Sequence, residues 1–267
     1  ILHIHDVNDQ NLFIQPRNLW VLEQSAELKV IENFHTLGDN NSFLNYTIEG
    51  HVAPNAHLKH YKLQNDQLNA YQVSQIEMAQ EQDSTISNYT VTLGNGFTRN
   101  NTNYRVNGEN CETNLYGLYL TDGKQFADNH TIVDHKVPRC ESNELYKGIV
   151  DDRSVSVFNG KVFVRPHAQQ TNAYQSNRNI LLDDKATVNA KPQLEIWADD
   201  VKCSHGATSG QLDENQLFYM RARGIDYETA QSLLVYAFAA EVIAYVDIEE
   251  VKDYFNNLVA NKLKIDF

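Results

Sequence analysis

Cysteine is scarce in this chain. Among 267 residues only Cys111, Cys140 and Cys203 occur, an odd number with no C-x-x-C spacing. That excludes a disulfide framework and a zinc site built from cysteine alone, and it suits a reducing compartment, so a cytoplasmic location is expected. Basic residues are also few, 22 against 35 acidic ones, for a formal charge of −13. Counterion release cannot drive nucleic acid onto such a surface and an anionic membrane would repel it, so neither is expected as a partner. Long apolar runs are missing as well. The longest, Leu233 to Val246, holds 14 residues and is broken by Glu241, short of the roughly 18 that read as a membrane span. What remains, 42% hydrophobic and 21% charged, is enough for one or two packed domains. The chain opens at Ile1 inside an apolar/polar alternation (Ile1, Leu2, His3, Ile4, His5) and is expected to be a fragment of a longer protein.

Glycine is sparse too, at 12, whereas asparagine occurs 29 times and tolerates left-handed backbone, so it can share the work of turning the chain. The five N-x-S/T sequons, at Asn40, Asn45, Asn88, Asn100 and Asn129, are what so much asparagine produces by chance. From Ile1 to about Leu212 no helical period is sustained. Short alternating segments read as strands instead: Glu27 to Val30, Ser42 to Tyr46, Thr85 to Ser87, Val155 to Val157, Val162 to Val164 and Leu194 to Trp197. Between them the clusters Gly38-Asp39-Asn40-Asn41, Gly94-Asn95-Gly96, Asn107-Gly108, Asp122-Gly123, Asn159-Gly160 and Asp183-Asp184 read as turns. Gly94, Gly108 and Gly123 are spaced by 14 and then 15 residues, and Gly148 and Gly160 by 12. Such a rhythm fits a sandwich, a barrel or a solenoid of short rungs.

Beyond Leu212 the pattern becomes helical. Asp213-x-x-Gln216 predicts a capping box for a helix that stops at Gly224, Asp226 caps a second helix running to about Val246, and Asp247-x-x-Glu250 caps a third. The second is apolar almost all round from Leu233, so neighbours or a partner must cover it on more than one side.

The motifs of phosphate loops, dinucleotide folds, serine hydrolases and zinc proteases are missing. His3 and His5 share a strand face and read as a surface pair; His57 and His60 point to opposite faces. Cys203 and His205, if extended, lie on one face roughly 6.5 Å apart, and a thiolate with an imidazole suits iron or zinc. An ordinary buried cysteine beside a hydrogen-bonded histidine has the same spacing. The pairs Asp151-Asp152, Asp183-Asp184 and Asp199-Asp200 would serve a carbohydrate-active β-helix enzyme only if carboxylates met across rungs; solvated turns are the plainer reading.

Longer stretches carry more information. Pro138 to Gly148 (PRCESNELYKG), Phe158 to Pro166 (FNGKVFVRP), Ala173 to Leu182 (AYQSNRNILL), Lys191 to Thr208 (KPQLEIWADDVKCSHGAT) and Gln216 to Ile225 (QLFYMRARGI) resemble the SufB/SufD family of iron–sulfur cluster assembly proteins. The resemblance is to its SufD branch. SufB-type sequences usually carry an acidic E-H-E-A-T version where this chain has Cys-Ser-His-Gly-Ala-Thr. Clear similarity covers about Asn107 to Val246, with a looser match from Pro16 to Gln64.

The resemblance implies a mainly β fold: a right-handed parallel β-helix over residues 1–212, then a small C-terminal helical domain over 213–267, with the family's N-terminal helical region lying outside this chain. It implies a scaffold rather than an enzyme. Its partners would be a SufB-like paralogue, a SufC-like ABC ATPase that hydrolyses the ATP, and recipient apo iron–sulfur proteins. A transient iron–sulfur cluster or iron would sit at the SufB interface, with His205 matching the family's ligand and Cys203 the neighbouring thiol. Gly224, Ile225, Leu233, Leu234, Tyr236 and Phe238 match the SufC-docking region, and deleting Asp226 to Phe267 is expected to abolish SufC binding while leaving the β-helix folded. The resemblance leaves room for a flavin in the full complex and for none held stably by the isolated chain. With SufB absent, a homodimer through strand addition near Val201 to His205 is expected. A purely structural interaction module, in which Cys203 and His205 only pack, is the remaining alternative to the scaffold and the carbohydrate-active enzyme.

Overall fold

The computed structural model describes residues 1–265, which form 17 strands and three helices. As the chain winds, successive strands are laid alternately on two parallel sheets. One holds β1 (Leu2–Asp6), β4 (Glu27–Leu37), β6 (His57–Gln64), β8 (Thr85–Thr92), β10 (Glu112–Thr121), β12 (Glu141–Val150), β14 (Thr171–Leu181) and β17 (Val201–Gly210) in that order. The other runs from β2 (Leu12–Ile14) and β3 (Arg17–Leu22) through β5 (Ser42–Val52), β7 (Ala70–Gln80), β9 (Phe97–Val106), β11 (Phe126–His135) and β13 (Val155–Val164) to β15 (Thr187–Ala190) and β16 (Gln193–Ile196). The result is a parallel β-solenoid of about seven turns. Three helices close it: α1 (Glu214–Ala222), α2 (Tyr227–Ile243) and α3 (Glu249–Lys262). None of the described helices is long and apolar enough to cross a membrane.

One turn takes about 29 residues, the separation of Asn100 and Asn129, which stack on neighbouring rungs with an amide hydrogen bond of 3.0 Å. The spacing of 14 and 15 between glycines is therefore half a turn, the distance from one corner to the next. At one corner Ser25, Asn55, Asp83, Asn110, Arg139 and Gln170 all take φ between 57° and 60°. Asn55 donates to Ser25 Oγ at 3.0 Å and Asn110 to Asp83 Oδ1 at 3.0 Å, so the corner is itself a ladder. Asparagine thus does turn the chain here, but the stacked backbone is strong enough to hold Arg139 and Gln170 in the same conformation. Cys111 and Cys140 are buried in this corner, each with its thiol on a backbone carbonyl.

Asn159-Gly160 is no turn. It lies inside β13, which joins the two short strands expected on either side of it. The dipeptide that would close a hairpin is overridden because β11 flanks the whole segment in register. Gly148 likewise lies inside β12, so its spacing to Gly160 marks no corner.

Inside the solenoid, glycines mark close packing. Tyr146 of β12 lies over Gly117 of β10, where a Cβ would come within 2.1 Å of the ring, and Tyr119 of β10 lies over Gly148, again 2.1 Å from a would-be Cβ. Both rings are buried. Gly117→Ala and Gly148→Ala should each lower stability by about 1–3 kcal/mol through overpacking, read as a lower urea midpoint with an unchanged slope.

The two outer faces differ. The second sheet alternates buried and half-exposed residues, as in β13, because no described element covers its outside. The first is buried on both sides along β6, β8, β10 and β12. There Tyr61, Leu63, Tyr89, Val91, Leu118 and Ile149 form one cluster with Val235, Ala239 and Ile243 of α2 and Phe255 and Val259 of α3. The helices share the sheet's core.

Polar latches fasten the same joint. Lys147, almost wholly buried, donates to Phe238 O at 2.9 Å and to Glu241. Asp247 accepts from Lys29 at 3.1 Å, Lys59 at 2.6 Å and the Tyr61 hydroxyl, which together hold its carboxyl well below the usual range. Asp247 is therefore not the cap of α3; Ile248 holds that place without a side-chain hydrogen bond, and α2 ends at Ile243 rather than Val246. Asp226 caps α2 as expected, through Thr229 N at 2.9 Å, and Gly224 follows α1 at φ +89°.

Candidate functional site

Strand β17 is the last in its sheet: β14 pairs with one side of it and no described strand with the other. Opposite it the second sheet ends in β15 and β16, two four-residue strands interrupted around Lys191-Pro192. Proline has no amide hydrogen for the ladder, so the sheet breaks there. After β17 the chain leaves for the helices. The solenoid therefore ends with a row of unpaired backbone groups along Val201–Gly210, most of whose residues are exposed.

Cys203 and His205 both lie on this strand, in register with Ala173 and Gln175 of β14. Ala173 and Gln175 point into the solenoid and are buried, so the cysteine and histidine continue an interior column onto the uncovered end. Cys203 is half-buried against Leu194, Val201 and Ala173, and burial pushes its thiol up. His205 is exposed. The structure thus brings the expected pair onto one face at an edge. Among the described residues no group of three His, Cys, Asp or Glu side chains is placed to hold a metal ion.

The docking residues fall elsewhere. Gly224 is exposed, Ile225, Leu233 and Leu234 are half-buried, and Tyr236 and Phe238 pack against the cluster between α2 and the solenoid. The apolar girth of α2 is thus covered largely by this chain's own sheet. The acidic pairs Asp151-Asp152, Asp183-Asp184 and Asp199-Asp200 all lie in corners rather than across rungs on a strand face. His3 and His5 are not a surface pair. β1 pairs with β4, which turns both rings inward: His3 stacks on Phe34 at 4.6 Å and bonds Glu32 at 3.2 Å, and His5 is buried. Glu32 also accepts from His60 at 2.8 Å and from Tyr46, a satisfied buried network that holds its carboxyl well below the usual range.

Beneath His205 the column holds residues that sequence reading missed. Gln175 donates from Nε2 to Glu144 Oε1 at 3.2 Å, and Thr131 Oγ1 donates to Glu144 Oε2 at 2.6 Å. Counting one turn back from His205 reaches Gln175, and 31 residues further back lies Glu144. The period of the solenoid was the available signal. Burial lifts the Glu144 carboxyl from 4.5 to about 7, against the pull of its two hydrogen bonds. A carboxyl whose folded pKa is raised binds more protons folded than unfolded between those values, so its contribution to stability falls as pH rises through that window. Relative to wild type, Glu144→Gln should gain on the order of 2–3 kcal/mol between pH 4 and pH 8, measured by urea melts of both proteins at each pH.

Against known families, residues 5–238 match the model for the SufBD core domain of the SUF system for FeS cluster assembly. The chain belongs to the SufBD core family. It is 39% identical to the iron–sulfur cluster assembly protein SufD of Escherichia coli over 86% of its own length and 55% of that protein's. It is 33% identical to an iron–sulfur cluster assembly SufBD family protein of Synechocystis over 97% of its length and 59% of the relative's. A chloroplastic protein of Arabidopsis thaliana is 38% identical over 93% of the chain and 53% of its own length. The chain thus spans a little over half of each of these relatives.

Proposed function

We propose that this chain is the core of a SufD-type scaffold subunit on which iron–sulfur clusters are built with a SufB-like paralogue. The free edge of β17, which presents His205 beside unpaired backbone groups, carries this reading. An exposed parallel edge is a template for another strand, and a solenoid of the same family offers a matching one. The cluster is cargo. Cys203 and His205 supply two donors from this side, where a [2Fe–2S] cluster takes four, so the others come from across the joint. An imidazole and a thiol that resists ionisation hold iron less tightly than four thiolates, which suits a cluster destined to leave.

The chain carries no phosphate loop, and ATP hydrolysis is assigned to a SufC-like subunit docking on the helical face that the solenoid leaves open. That face includes Gly224, Ile225, Leu233 and Leu234, together with Phe218 and Tyr219 of α1, which are 75% and 58% exposed. Without SufB the edge of β17 meets its copy, and the chain self-associates. Co-expression with SufB- and SufC-like partners tests the reading: a stable complex that accumulates iron and sulfide is expected, and a chain that purifies alone would overturn it.

A further inference from the structure

Gln175 is 3% exposed and its amide is used on one side only. Nε2 donates to Glu144 Oε1 at 3.2 Å, whereas Oε1 is buried and accepts no hydrogen bond. The amide is held in this place from across the solenoid by Gly160, where a Cβ would come within 2.3 Å of Nε2. Because Glu144 takes the NH₂ end, the carbonyl end is turned away from the carboxylate. The next residue in the column is His205, in register one strand further on. In-register side chains on one face of neighbouring strands are within reach of each other.

A buried acceptor without a donor is unfavourable in a finished structure. A histidine that binds metal through one ring nitrogen donates the N–H of the other to a carbonyl or carboxylate, which fixes its tautomer. The two needs complement each other. We propose that Gln175 is the positioning residue of the assembly site: its Oε1 accepts the ring N–H of His205 once a partner covers the edge, leaving the other ring nitrogen to face the cluster. This rests on the reading of His205 as a ligand. It gives Gly160 a function as the space that lets the amide lie where it does, and Glu144 one as the group that orients it.

The test uses the complex with a SufB-like partner, with ¹⁵N-histidine confined to this chain and the His205 signals assigned by their loss in His205→Ala. Solid-state ¹⁵N spectra at alkaline pH should show one neutral tautomer in the wild type and a mixture in Gln175→Met, which keeps the volume but removes the acceptor. Co²⁺ affinity of the same complex should fall roughly 10- to 100-fold in Gln175→Met. If that variant does not fold, Gly160→Ala, which displaces the amide without removing it, should mix the tautomers in its place. Mixed tautomers in the wild type, or no change on substitution, would overturn the positioning role even if Co²⁺ binding depends on His205. A single tautomer that depends on Gln175, together with Co²⁺ binding indifferent to His205→Ala, would keep the contact and overturn the ligand reading instead.

Discussion

Cells whose only SufD-type subunit carries His205→Ala should lose the activity of their cluster-dependent enzymes by more than about tenfold, while the purified variant melts with the wild type. The two halves of this result follow from one location. The His205 side chain is exposed at the edge of β17 and forms no hydrogen bond, so its truncation strands no buried partner. Surface changes of that kind stay within about 0.5 kcal/mol. A histidine such as His60, buried with Glu32 and Asn88 on its two ring nitrogens, would behave differently: removing it should cost about 1–3 kcal/mol or more. Cys203→Ala should have a milder effect on assembly and a small cost in stability, because the thiol is half-buried among apolar neighbours. Normal cluster maturation in the His205→Ala cells would remove the ligand assignment. Unfolding of the variant would make the residue a structural one.

The second large effect concerns the helices. Phe255→Ala should destabilise the chain by about 3–5 kcal/mol and lower its melting temperature by roughly 10 °C. Phe255 is 1% exposed and lies in the cluster where α3 and α2 meet the apolar outer face of the sheet. Cutting the chain at Asp226 should do more. It would uncover Tyr61, Leu63, Val91, Leu118 and Ile149 together and leave the Lys147 ammonium and the Leu93 carbonyl without their partners in the joint. An exposed patch of that size drives association, so the truncated protein should aggregate or bind a hydrophobic dye. This revises the expectation from sequence that the solenoid would stand without its C-terminal helices. A soluble, cooperatively melting fragment ending before Asp226 would show instead that the sheet does not depend on them.

The reason for that revision shows what sequence reading can and cannot reach here. Alternation and turn clusters were visible, and so was the half-turn interval, because each strand makes its own local pattern. The shared core was not. Strands such as β8 (TISNYTVT) mix polar and apolar residues on both faces, and only the winding of the chain reveals which face the helices cover. Asn159-Gly160 misled for a related reason: a local turn signal lost to pairing with β11 along its full length. Asp247 looked like a cap because its spacing to Glu250 was right, yet two lysines and a tyrosine of distant strands hold it. The pair of Cys203 and His205 was legible by its i, i+2 spacing and by family resemblance. Its place at a free edge needed the whole sheet order, and Gln175 and Glu144 beneath it needed the rung period applied backwards from His205.

Iron ligation by His205 at the β17 edge is read directly by pulsed electron paramagnetic resonance. The reduced cluster would be assembled on the complex with SufB- and SufC-like partners, with ¹⁵N-histidine only in this chain. Ligation by His205 predicts a ¹⁵N hyperfine coupling of a directly bound imidazole in the wild type and its loss in His205→Ala. A cluster that forms with no such coupling, or one whose coupling survives His205→Ala, would contradict it.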